Sequence, residues 1–92
     1  MKGKKRAERL APRLAVTYEK LREMEAELGA PPSVRELALA LENSLDFTSR
    51  VHGDLRMLAK MGLVNRLAIP TRRFRCIGPP ADEIDWEGLL SG

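Results

Sequence analysis

Ninety-two residues with 43% hydrophobic side chains and a net charge of +3 suffice for one small domain and leave little room for a second. No apolar run nears the ~20 residues of a membrane span, and the basic start leads into no hydrophobic signal region. The single cysteine, Cys76, excludes an internal disulfide and a cysteine-based metal cluster, so an intracellular chain without metal or cofactor is expected.

The charge is uneven. All sixteen Lys and Arg residues lie within residues 1–78 beside nine acids, whereas residues 79–92 hold four acids and no base. A basic body of this kind suits a polyanion partner, with the acidic end either shielding it or binding something else.

In chain order, residues 1–9 read as a flexible basic arm. From about Ala11 to Leu28, the apolar positions Leu14, Tyr18, Leu21, Met24 (or Glu25) and Leu28 recur at helical spacing and predict a long amphipathic helix. Pro12 is expected in its first turn, where a missing N–H does no harm. Gly29 ends the helix, and "APP" follows as a rigid linker. Ser33 opens a second helix through a capping box with Glu36, and Val34, Leu37, Ala38 and Leu41 form its inner side.

The segment "ENSLDF" breaks the period as a turn and is expected to lend Leu45 or Phe47 to the core. Thr48 or Ser49 is the expected cap of a third helix that runs to about Met61 and stops at Gly62, with Val51, Leu55, Leu58 and Met61 as its stripe. Beyond it the period turns alternating: residues 63–67 and 73–77 predict two short strands joined by a loop containing Pro70. Gly78-Pro79-Pro80 closes the unit. In the tail, Ile84, Trp86, Leu89 and Leu90 stand among acids, which allows a short helix against the body or a partner, or a disordered end. Trp86 reads as a packing anchor. The division is therefore an arm (1–9), a domain (10–78) and an acidic tail (79–92).

Catalysis finds little support. His52 is the only histidine, the pairs Glu23–Glu27 and Asp82–Asp85 read as solvated charge, and no phosphate-cradling glycine loop or metal-ligand spacing occurs. The chain is expected not to be an enzyme.

Nucleic-acid binding fares better. On a helix projection, Ser49, His52, Gly53, Arg56 and Lys60 fall opposite the apolar stripe with no acid among them, and Asp54 is rotated away. Such a face suits the major groove, since arginine can bond two acceptors on a guanine edge. A glycine there lets the backbone approach closely, although within a helix it costs roughly 1 kcal/mol relative to alanine. A capped helix, a turn and this helix form a helix-turn-helix order. The hairpin adds Arg66, Arg72, Arg73 and Arg75, placed for phosphates or a narrow minor groove.

"LGAPPSVRELALAL" followed by "LRMLAKMGLVNR" resembles the N-terminal DNA-binding domain of LexA-type repressors, over roughly residues 10–78. Gly-x-Pro-Pro-Ser-x-x-Glu opening the second helix is the more specific element; Leu-x-x-Leu-x-x-x-Gly closing the third is shared by many winged helices. The resemblance implies a mainly α fold with a small β-hairpin, a winged helix-turn-helix of three helices plus a two-stranded wing. It also implies a double-stranded-DNA-binding regulator, a small bacterial or phage repressor of the cytoplasm, nucleoid-associated or in a host. Carried over by position, the reading helix would present Ser49, Arg50, His52 and Gly53 to bases, with Arg56 and Lys60 nearer the phosphates. The turn at 42–47 is slightly longer than the family's, and the reading-helix side chains differ. LexA-type proteins carry a self-cleaving serine-lysine peptidase, and no lysine follows Lys60, so self-cleavage is not expected. A homodimer or a protein partner engaged through Ile84, Trp86 and Leu89 is the expected companion of so small a module. The alternative reading is a winged-helix interaction module acting on the transcription or replication machinery, for example a phage regulator of RNA polymerase.

Overall fold

Leu14, Tyr18 and Leu21 are almost wholly buried along one side of a single helix, α1 (Lys2–Leu28), and the molecule is assembled around that stripe. The structure is a computed structural model that describes the backbone of residues 2–42, 44–67 and 74–91, and the side chains of 10–42, 44–67 and 74–90. After α1 come α2 (Val34–Glu42), a 3-10 turn (Leu45–Phe47), α3 (Thr48–Lys60), β1 (Val64–Arg66), β2 (Phe74–Cys76), a second 3-10 turn (Ala81–Glu83) and α4 (Trp86–Ser91). Helix α1 touches α2, α3, β2 and α4, so every layer rests on it.

Helix α1 is longer than its expected span. The backbone of residues 2–9 is helical rather than a separate arm, and Pro12 lies inside the helix rather than in its first turn. An interior proline removes one backbone bond and crowds the carbonyl four residues back, at a cost of about 3 kcal/mol. Leu10, one turn before Leu14, continues the stripe and packs against the core, which is what helix ahead of Pro12 gains. At the other end the helix outruns the core: Leu28 is 57% exposed, contrary to the stripe drawn through it.

Helices α1 and α3 both stop at the expected glycines. Gly29 (φ +73°) and Gly62 (φ +79°) take left-handed backbone that side chains resist. Around Gly62, its own N–H donates to Ala59 O at 3.1 Å and the Leu63 N–H reaches Leu58 O at 3.0 Å, the double bond pattern of a Schellman cap. The Ser33 capping box forms in both directions. The Glu36 N–H donates to Ser33 Oγ at 3.1 Å, and the Ser33 N–H donates to Glu36 Oε1 at 2.9 Å.

The turn before α3 departs from expectation twice. Leu45 and Phe47 are 42% and 39% exposed, so neither enters the core. Neither Thr48 nor Ser49 caps α3: Ser44 caps the preceding 3-10 turn by accepting from the Asp46 N–H at 3.1 Å, and Thr48 Oγ1 donates back to Leu45 O at 2.7 Å. The 3-10 turn runs straight into α3, so the cap moves upstream with the start of the helical path.

The hairpin is antiparallel, with Val64 opposite Cys76, Asn65 opposite Arg75 and Arg66 opposite Phe74. Val64 and Phe74 are buried and join Val51, Leu55 and Leu58 of α3, Val34, Leu37 and Ala38 of α2, and the α1 stripe in one core. Half-buried Cys76 packs at its edge.

The tail is ordered and folds back onto α1. Trp86 meets Tyr18 edge-on with ring centroids 5.7 Å apart, and its Nε1–H donates to Ala81 O at 3.0 Å. Trp86 is thus a packing anchor, as expected. Ile84 is likewise packed against the core, so of the three tail residues expected to meet a partner only Leu89, 43% exposed, faces outward. Among the described residues, no helix is long and apolar enough to cross a membrane.

Candidate nucleic-acid interface

The two sides of α3 have opposite chemistry. Val51, Leu55 and Leu58 point into the core, and Ser49, Arg50, Gly53, Arg56 and Lys60 are exposed. A Cβ built on Gly53 would meet nothing within 4 Å, so the glycine lies on the outer surface with open space above it. His52 sits less far out than the projection implied. It is half-buried, its ring edge-on to Phe74 of β2 at 5.9 Å between centroids, and it forms the seam between α3 and the wing.

Asp54 shares the buried side. It is 1% exposed, and its carboxylate accepts from Arg13 of α1 at 2.6 Å and from the Thr17 hydroxyl at 3.3 Å. A buried carboxylate is tolerated only when it is paired and hydrogen-bonded. This bond therefore fixes how far α3 is rotated about its own axis, and with it which residues face outward. The sequence pattern places Asp54 only off the outer face. Its spacing from Val51, Leu55 and Leu58 completes the helical repeat of inward positions, and that signal could have identified it.

Two of the expected contact arginines are already held by acids. Arg50 pairs with Glu42 at the end of α2, its guanidinium lying 4.8 Å from the centroid of the Phe47 ring. Arg75 Nε is 3.4 Å from Glu25 Oε1 on α1, while Glu25 Oε2 accepts the Cys76 N–H at 3.0 Å and so clamps β2 to the helix. Arg56, Lys60 and exposed Arg66 make no ion pair among the described residues. Arg72 and Arg73 lie outside the described residues. The arrangement brings Ser49, Gly53, Arg56 and Lys60 onto one face, with His52 and Arg66 toward the wing.

Three helices, the second and third joined through a turn, followed by a two-stranded antiparallel hairpin, define a winged helix-turn-helix. Neither a family model nor a solved structure matches the chain. Among curated proteins it is similar to LexA repressors. The LexA repressor of Pelotomaculum thermopropionicum is 36% identical over 76 residues, 83% of this chain and 36% of that protein. That of Clostridium novyi is 40% identical over 63 residues (68% and 30%), and that of Clostridium tetani 47% over 49 residues (53% and 24%). The chain is thus a LexA-like winged helix, and it spans between 24% and 36% of the length of these relatives.

Proposed function

We propose that this chain binds double-stranded DNA as a transcriptional repressor. Helix α3 enters the major groove, with Ser49, Arg50, His52 and Gly53 toward base edges and Arg56 and Lys60 toward phosphates. The wing, through Arg66, Arg72, Arg73 and Arg75, runs along the backbone or the minor groove. Residues 10–78 form the binding unit. A single module of this size contacts few base pairs, so it acts as a homodimer on paired half-sites.

The observation that carries this reading is the outer face of α3. It is free of acids, holds two unpaired cations among the described residues, and is open above Gly53, where an approaching duplex meets no side chain. Similarity to repressors supports it. The competing reading, a protein-docking module, draws on the exposed Leu45 and Phe47 beside the same helix.

A selection from a random duplex library tests the proposal and returns the site. On the selected duplex, Arg56→Ala is expected to weaken binding by about 1–3 kcal/mol and to relax preference at one position, as read by fluorescence anisotropy. Arg73→Ala is expected to weaken binding to all sequences alike and to reduce the salt slope by about one. Failure of the wild-type chain to bind any duplex at ~50 mM salt, where phosphate contacts are strongest, would remove the DNA reading.

A further inference from the structure

A carboxylate beside the face offered to DNA, at the end of α2, competes with it for Arg50. Glu42 ends α2, and Arg50 stands in the first turn of α3; they pair across the connecting turn, with the two side chains 33% and 39% exposed. Among the described residues Arg50 is the only partner of the Glu42 carboxylate. Glu25, by contrast, holds a backbone N–H of β2 as well as Arg75, which makes it part of the hairpin's framework. Among the described residues, Glu42 therefore has no comparable duty besides engaging Arg50.

Phe47 holds the Arg50 guanidinium from a second side. The Arg50 guanidinium lies over the Phe47 ring, a cation–π contact at the head of α3 that does not involve the Glu42 carboxylate. Arg50 is thus already positioned, and only its charge is masked.

We infer that Glu42 restrains Arg50 and lowers the affinity of the protein for DNA of arbitrary sequence. Arg50, directed to base edges on a cognate site, meets a phosphate on DNA of arbitrary sequence, and it does so only by giving up Glu42, so sequence-independent binding loses one cation that a cognate site, with more contacts in place, can recover. The inference rests on the proposed DNA-binding reading.

The test is a set of anisotropy titrations of the full chain with a labelled random-sequence duplex, over a salt series from ~50 to ~200 mM. The proteins are wild type, Glu42→Gln, Arg50→Ala and the double variant, each checked for folding by thermal melting. An exposed pair is weak, so Glu42→Gln is expected to bind about two- to five-fold more tightly. Its slope of log affinity against log salt should steepen by about 0.9, the signature of one more phosphate contact. In the Arg50→Ala background Glu42→Gln should change nothing. A gain that persists without Arg50 would mean that Glu42 acts by simple charge repulsion, and would overturn the inference. Equal affinity and slope for wild type and Glu42→Gln would overturn it as well. If Glu42→Gln fails to fold, Glu42→Ala replaces it under the same criteria. A wild-type chain that binds no duplex at all fails one step earlier, at the DNA reading itself, and takes the inference with it.

Discussion

Gly53 is a residue costly to the fold that lies on the surface proposed to meet DNA. It lies in the interior of α3, on the outer face, with open space where a side chain would project. Nothing among the described residues requires a glycine there, since its backbone is helical and open space surrounds it. Gly53→Ala is therefore expected to stabilise the folded chain by about 1 kcal/mol in a denaturant titration. Under the DNA-binding proposal the same methyl group would stand between α3 and the groove, so affinity for the selected duplex should fall as stability rises. A variant that gained stability and kept full affinity would show that Gly53 has no part in contact. His52 and Arg50, carried over by position as base readers, illustrate the opposite case. Each already has a neighbour in the molecule, Phe74 for one and Glu42 with Phe47 for the other. Spacing along one helix shows which side a residue faces, but not which neighbouring element has reached it first.

Among the elements, those specified by local chemistry were legible and those specified by distant contacts were not. The capping box at Ser33 and the glycine stops at 29 and 62 arise from residues within a few positions of one another, and the two strands pair residues no more than twelve apart. The extent of α1 was not legible, because Pro12 signals a helix start and only packing through Leu10 overrides it. The turn before α3 misled in the same way: Leu45 and Phe47 are apolar, yet the turn carries them outward and leaves them partly exposed. The acidic tail could not be assigned from sequence because its order depends on Tyr18, some sixty-odd residues earlier in the chain. Its contribution is measurable. Trp86 is half-buried, so Trp86→Ala is expected to cost about 2 kcal/mol, less than a fully buried aromatic, with a lowered melting temperature by circular dichroism. A change below about 0.5 kcal/mol, the range of ordinary surface substitutions, would mean that α4 is not integral to the fold.

At the scale of the whole molecule, Tyr18 ties the helical body, the hairpin exit and the tail together. Its hydroxyl donates to Pro79 O at 2.8 Å, its ring meets Trp86, and Gly78 passes so close that an added Cβ would lie 2.6 Å from the phenolic oxygen. Burial, with neighbouring Cys76 adding to it, raises the phenol's pKa well above its ordinary value of 10.0. The folded chain thus keeps a proton that the unfolded chain gives up. The stability this contributes is intact below pH 10 and drains away as pH climbs above it. Denaturant titrations between roughly pH 9 and 11 should show that loss, and Tyr18→Phe should reduce it. An equal alkaline loss in both proteins would assign it to other groups. The tie between Asp54, Arg13 and Thr17 has a different kind of consequence, one for how such a protein changes over generations. Because the bond that sets the attitude of α3 is on its hidden side, Ser49, Gly53, Arg56 and Lys60 can be exchanged without disturbing where the helix sits. Under the DNA-binding reading, the target and the scaffold are then inherited separately, and a new site can be acquired by redrawing one face of one helix.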